Sequence, residues 1–224
     1  ATRHLIYARF WHKFLYDIGI VSTLEPFKKL QSVGLIMGED GKKMSKRFGN
    51  IVNPDLIVKT YGADTLRLYE MFMGAFDQAI PWNSEQISGM HRFLFRIWNT
   101  LKKVDVAKPF EDTPLYHQTV KKVEDDINSA KYNTAIAQIM TLLNETSQWE
   151  TISKKMYESL LILISPFAPH ISEELWSIMG NKESIQQTAW PLFDLTKGTN
   201  KTMNFPITVN GKLRDTILLP LDLS

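Results

Sequence analysis

Asn83-Ser-Glu-Gln-Ile-Ser-Gly-Met-His-Arg-Phe-Leu-Phe-Arg-Ile-Trp-Asn-Thr-Leu-Lys-Lys103 decides how the rest of the chain is read. Phe93, Ile97 and Leu101 recur every four residues, which places them along one side of an α-helix. Asn83 and Gln86 stand three apart ahead of that stripe, the spacing of a capping box, so the pattern predicts a long helix over 84–103. Toward the C-terminus the same punctuation repeats. Thr113-Pro114 opens a helix reaching about 129, two more follow over 134–145 and 153–164, and Pro166 and Pro169 interrupt the pattern. A last helix restarts near Pro169 and reaches Met179, with Gly180 behind it. Residues 84–180 thus read as a bundle of four to five helices joined by short loops.

Toward the N-terminus, Asn53 before Pro54 caps a helix that should end near Gly62. Asp64 is expected to cap the next, over 65–73, with Gly74 closing it. Val33-Gly-Leu-Ile-Met37 does not alternate and is expected to be a short strand buried on both faces. Residues 1–19 read as one helix, apolar around most of its surface through Phe10, Trp11, Phe14, Leu15 and Ile18, and so expected to be well buried. At the far end a linker at 196–202 precedes two strand-like runs, 205–209 and 212–219. Asn210-Gly211 between them is a strong hairpin signal. The chain opens inside a helical pattern without an initiator Met and stops after one hairpin, so a piece of something larger is expected. The architecture expected is mainly α.

Composition excludes several classes. The chain has 224 residues, of which 44% are apolar, a globular composition. Lys plus Arg number 26 and Asp plus Glu 24, for a net charge of +2, which excludes a polybasic tail or a strongly acidic chain. Cysteine is absent, excluding disulfide scaffolds, cysteine-based zinc modules and thiol catalysis. No apolar run approaches the ~18 residues a membrane span needs, and no signal peptide opens the chain. A cytoplasmic protein without a membrane partner is expected.

The informative loop is Gly41-Lys-Lys-Met-Ser-Lys-Arg-Phe-Gly-Asn50, with four cations and no acid. By charge alone such a run is a solvated basic turn, as most charge runs are. Several ammonium groups and a hydroxyl on a glycine-bounded loop also suit a polyphosphate, where cations offset the charge that develops on a leaving pyrophosphate.

The literal residues favour the second reading. Lys43-Met44-Ser45-Lys46-Arg47 resembles the KMSKS loop of the class I aminoacyl-tRNA synthetases. Asn50-Ile-Val-Asn-Pro-Asp55 resembles the stretch after that loop in the family's leucine, isoleucine and valine branches. Tyr61-Gly-Ala-Asp-Thr-Leu-Arg-Leu-Tyr-Glu-Met-Phe-Met-Gly74 looks specifically like the leucine branch. Ser165-Pro-Phe-Ala-Pro-His-Ile-Ser-Glu-Glu-Leu-Trp176 is similar to the signature ending the helical domain. His4-Leu-Ile-Tyr-Ala-Arg-Phe-Trp-His12 and Val209-Asn-Gly-Lys-Leu-Arg214 resemble the flanks. The six stretches stand in the right order and are spread from one end of the chain to the other, so the resemblance extends over nearly its whole length.

The resemblance implies an organisation: 1–75, the end of a Rossmann-like catalytic domain with its loop at 43–47; 76–190, a tRNA-binding helical bundle; 191–224, a linker and the first hairpin of a C-terminal region. It implies that Lys46 contacts the ATP phosphates and stabilises the adenylation transition state, that Lys43 assists, and that Met44 and Ser45 pack and orient the loop. Arg47 departs from the pattern, which has serine there. The implied reaction is two-step: leucine's carboxylate attacks the α-phosphate of ATP, with magnesium, to give leucyl-adenylate and pyrophosphate, and the terminal ribose hydroxyl of the leucine tRNA then takes the leucyl group. His4, His12, His91, His117 and His170 are the five histidines, and none lies in a His-x-Gly-His context. The rest of the nucleotide fold and the leucine pocket are therefore expected upstream, and the chain alone is expected to be inactive. No metal site is expected within it.

For tRNA, the candidate residues are Arg92 and Arg96, four apart on one helical face, extended by Lys102 and Lys103. Two surface arginines flanking a core stripe explain the same pattern equally well. Lys121-Lys122 is offset by Glu124, Asp125 and Asp126. Trp98, Trp149 and Trp176 are expected in the bundle core or at its ends. His170 is expected to be a hydrogen-bonded structural histidine, and Glu173-Glu174 a first-turn charge favoured by the helix dipole. A non-catalytic RNA-binding module, a class I synthetase of the isoleucine or valine branch, and a helical scaffold with a basic surface turn remain as rival readings.

Overall fold

The computed structural model describes residues 2–198, 202–209 and 212–220. It divides into two compact units, Ala1–Val33 and Gly34–Ser224.

In the first unit, α1 (Thr2–Asp17) contains no buried residue. Phe10 and Trp11 are 66% and 58% exposed, which corrects the expectation of a buried helix. The reason is physical: an apolar face is buried only against another apolar face, and within residues 2–33 none covers it. The segment after α1 returns polar contacts instead. Arg9 donates two hydrogen bonds to the Glu25 carboxylate (2.8 and 2.7 Å), and His12 pairs with Thr23. Arg9, with Lys13 beside it, holds the Glu25 carboxyl down at about 2.

In the second unit, β1 (Ile36–Met37) is only half-buried and pairs in parallel with β2 (Ile80–Pro81), so it is neither as long nor as enclosed as the apolar run suggested. Gly34 explains the close approach of these segments, because a Cβ built there would fall 1.7 Å from the Gln78 carbonyl oxygen. Between the two strands lie α2 (Pro54–Tyr61) and α3 (Ala63–Phe72). Asn53 caps α2 as read, its side chain accepting the Asp55 N–H. Asp64 does not cap α3, which already begins at Ala63; its carboxylate serves another helix.

The bundle consists of α4 (Ile87–Thr100), α5 (Pro114–Asn128), α6 (Tyr132–Thr146), α7 (Lys154–Ile164) and α8 (Pro169–Ile178). Thr113 and Ser153 cap α5 and α7 through their hydroxyls. The expected start at 84 is displaced. Asn83 accepts the Glu85 N–H to form a turn over 84–86, and Glu39 accepts the Ser84 N–H, so helix proper begins at Ile87. Its last turn tightens into a 3₁₀ segment over 101–103. A minimal parallel pair, β3 (Val104–Asp105) with β4 (Ile152–Ser153), ties the α4–α5 connection to the start of α7.

Ile97, Val120, Val123, Ile139, Leu143, Leu161 and Leu163 are fully buried together. Tyr157 is enclosed among them and donates its hydroxyl proton to the Ile97 carbonyl (3.0 Å), so its polar group is satisfied inside the core. Residues 192–198, expected in part as linker, are fastened to α5. His117 donates to Asp112 and accepts the Asp194 N–H, Lys197 pairs with Asp112, and Gln118 donates to the Gly198 carbonyl. β5 (Thr202–Val209) and β6 (Lys212–Pro220) then pair antiparallel. The Asn210-Gly211 turn itself lies outside the described residues. No described helix is long and apolar enough to cross a membrane.

Candidate functional site

The basic loop follows β1 directly and is more structured than its sequence suggests. Met37 and Lys43 form an isolated antiparallel bridge, and the Gly38 N–H donates to the Lys42 carbonyl (2.8 Å), closing the base of the loop. Lys46–Phe48 form one 3₁₀ turn. Ser45 caps it, its hydroxyl oxygen accepting the Arg47 N–H (3.2 Å). Gly49 ends it at φ 64°, a left-handed conformation that glycine adopts without a Cβ penalty.

Asn50 holds these pieces together. Its Oδ1 accepts the Ser45 N–H (2.9 Å), and its Nδ2 donates to Asp40 (3.0 Å) and to the Lys43 carbonyl (3.4 Å). Asp40 also accepts the Lys42 N–H (3.1 Å). The Asn50 amide first, and the Lys42 N–H second, hold the Asp40 carboxyl below its ordinary value. Sequence reasoning passed over Asn50 and Asp40, because an asparagine after a glycine reads as a loop residue and nothing in its spacing names its partners.

Within this frame the site residues are presented unequally. Met44 is half-buried and packs on the core, anchoring the loop. Ser45 is half-buried and holds the turn; its oxygen is used as an acceptor, which leaves its own proton available to an oxygen ligand. Lys43, Lys46 and Arg47 are exposed. None of the three forms an ion pair among the described residues. Three cations without counter-charges on a framed loop fit a polyanion such as a triphosphate. Among the described residues, no three or more His, Asp or Glu come together to hold a metal ion.

The four cations singled out on and after α4 separate into two kinds. Arg92 is exposed and without a hydrogen-bond or ion-pair partner among the described residues. Arg96 is exposed but donates to Asn144 (2.7 Å) and Ser147 (3.3 Å) on or beside α6. Lys102 reaches Asn99 (3.0 Å). Lys103 donates to the Ser147 and Trp149 carbonyls (2.8 and 3.0 Å), neutralising the C-terminal end of α6. Lys121 and Lys122 pair with Asp125 and Asp126, as their neighbourhood implied. Trp176 is buried and donates to the Glu183 carbonyl, whereas Trp98 is 38% exposed and does not fill the core.

His170 is hydrogen-bonded through Nδ1 to Asp64 (2.7 Å), as a structural histidine should be. Asp64, on α3, also accepts the Ile171 N–H (2.7 Å), capping α8. Arg67, one turn further along α3, donates to the Phe167 carbonyl (3.2 Å) and the Pro166 carbonyl (3.0 Å). The turn between α7 and α8 is thus held from α3 by an acid and a base. Glu173 is not a first-turn charge; it accepts from Ser184 and the Ile185 N–H, fixing the chain beyond α8.

Comparison with known proteins gives two family matches. Residues 6–83 match the family described as "tRNA synthetases class I (I, L, M and V)", and residues 115–224 match "Anticodon-binding domain of tRNA ligase". The leucine–tRNA ligase of Chlorobaculum tepidum is 47% identical over 98% of this chain and 28% of its own length. That of Alkaliphilus oremlandii is 44% identical over 99% and 28%. Among solved structures, a LeuRS–tRNA–LeuAMS ternary complex from Agrobacterium radiobacter aligns with a TM-score of 0.74 at 30% identity, covering 99% of this chain and 32% of that one. Mycobacterium tuberculosis methionyl-tRNA synthetase bound to methionyl-adenylate shares the fold, with a TM-score of 0.54 at 18% identity, covering 77% of this chain and 42% of that one. The chain therefore spans less than a third of the leucine–tRNA ligases it matches.

Proposed function

Because this chain belongs to the class I tRNA synthetases, as a segment related throughout to leucine–tRNA ligases, we propose that it carries the ATP-phosphate loop and the tRNA-docking bundle of a leucine–tRNA ligase. The observation that carries this reading is the loop itself. Among the described residues, Lys43, Lys46 and Arg47 stand without counter-charges on a turn fixed by Ser45, Gly49 and Asn50.

In the reaction this would serve, a leucine carboxylate oxygen attacks the α-phosphorus of ATP and pyrophosphate leaves. The ribose hydroxyl at the tRNA terminus then attacks the activated carbonyl and AMP leaves. Charge gathers on the departing pyrophosphate in the first step. Lys46, with Lys43 beside it, offsets that charge from positions set before the substrate arrives. Ser45 donates its hydroxyl proton to a phosphate oxygen while continuing to cap the turn. Met44 keeps the loop seated on the core. Magnesium would enter with the triphosphate. The leucine pocket belongs to parts of the longer protein beyond this chain, and Arg92, with Arg96, meets the tRNA backbone.

The test is pyrophosphate exchange by the longer ligase carrying Lys46→Ala. A fall of about 10²-fold or more with an unchanged melting temperature is expected for a group acting on transition-state charge. Exchange at the wild-type rate would reduce the loop to a surface turn. Exchange by the isolated chain would overturn the division of labour.

A further inference from the structure

α3, α4 and α8 leave an open hollow of about 450 Å³ between them, within the range of small-ligand sites. Its walls include Tyr61, His91, Phe95 and Trp98, with His170 and Glu174 on the α8 side. Phe95 is 61% exposed and Trp98 38%, and they stand three apart on one face of α4. Their neighbours Phe93 and Ile97 meet the core's need from this helix, so the two outward rings are not required for packing. Tyr61 and His91 meet edge to face at 5.9 Å, adding a second pair of rings.

The rim is polar in a particular pattern. Nδ1 of His170 is engaged with Asp64 at 2.7 Å, and the rest of its ring is largely exposed at the edge of the hollow, with Nε2 as its second polar atom. Glu174 lies four residues further along α8 and is exposed, an acceptor on the same face. Arg92, three residues before Phe95 on α4 and outside the hollow's own lining, is exposed and without a partner among the described residues. Flat π-surfaces, polar groups at one edge and a phosphate-binding cation on the helix that carries the rings are what an unstacked nucleotide requires. An apolar protein side chain would satisfy the rings and leave Arg92, Glu174 and the outer edge of His170 unanswered.

We propose that this hollow receives one unstacked nucleobase of the docked tRNA, stacked on Trp98 and Phe95, with an exocyclic amino group donating to Glu174 beside His170 and its phosphate on Arg92. This rests on the tRNA-docking reading above. The hollow joins Tyr61, in the stretch matching the synthetase family, to His170, in the stretch matching the anticodon-binding family. The base would therefore bridge the two.

The test uses the longer ligase that contains this chain, with transcribed leucine tRNA. Trp98→Ala and Phe95→Ala should each raise Kd about tenfold or more, and Trp98→Phe, which keeps a ring, should stay within about threefold of wild type. The salt dependence of binding should be unchanged in the Trp98 and Phe95 variants, because stacking releases no counterions, and shallower in Arg92→Ala. Unaltered melting curves check the fold, and both rings are exposed enough to be removed. Wild-type affinity in both alanine variants would overturn the base site while leaving tRNA docking intact; absence of any tRNA binding by the wild type would overturn both. Iodide quenching, taken as the difference between wild type and Trp98→Phe, should show Trp98 open without tRNA and shielded with it. Shielding without tRNA would mean that a protein segment fills the hollow and would overturn the proposal.

Discussion

Asp64 Oδ2 accepts the backbone N–H of Ile171 at 2.7 Å, across 107 residues of chain. A carboxylate on α3 thereby supplies the cap that α8 lacks locally, since Ala168 at its start has no side-chain oxygen. Asp64→Ala leaves first-turn N–H groups and the His170 ring without their acceptor. A loss of about 2 kcal/mol is expected in urea unfolding. Asp64→Asn keeps an acceptor and should lose less than half of that. A change below ~0.5 kcal/mol in the alanine variant would show that α8 starts equally well without the cap.

Asn50→Ala removes every side-chain bond that joins Ser45, Lys43 and Asp40. The expected effect in the longer ligase is on the nucleotide step, with the KM for ATP raised several-fold and the melting temperature nearly unchanged, because the loop packs little apolar surface. A large drop in melting temperature with an unchanged KM would make Asn50 a fold residue only.

The same frame has a defined pH response. Asp40 is held below its ordinary 3.8. A depressed carboxylate contributes fully above the unfolded value and loses that contribution as pH falls through the lower folded value. The Asn50 amide resonances should therefore stay constant from neutral pH down to about 4 and shift only in stronger acid. A shift between pH 5 and 7 would point to another group.

Arg92 and Lys103 should separate experimentally although sequence placed them in one basic strip. Arg92→Ala should weaken tRNA binding and lower the salt slope by about one, with no loss of stability. Lys103→Ala should cost about 1 kcal/mol through the Ser147 and Trp149 carbonyls it leaves, with an unchanged salt slope. The reverse pattern would exchange their roles.

Gly34→Ala puts a methyl into the Gln78 carbonyl. The β1–β2 pair at the base of the loop must then part, at a cost of about 1–3 kcal/mol. A thermal melt that matches the wild type would show that residues 34 and 78 need not approach so closely.

What was legible in the sequence was local. Asn53 and Thr113 stand one residue before the helices they cap, so their amide or hydroxyl chemistry and their partners fall within one turn. Asp64 shows where this fails: an acid near a helix start reads as that helix's cap, and its true partner is on another helix far along the chain. The parallel pairing of Ile36 with Ile80 is invisible for the same reason. The loop's cations announced their chemistry, while the amide that arranges them carried no signal of its own. Burial of α1 was inferred from its own residues, but burial is a property of two surfaces.

Phe10, Trp11 and Phe14 touch one another edge to face and otherwise meet solvent. In a preparation of this chain, α1 would act as a sticky handle whose self-association grows with concentration and with salt. A version beginning at Gly34 keeps the framed loop and the bundle core and should remain dispersed where the longer one clusters.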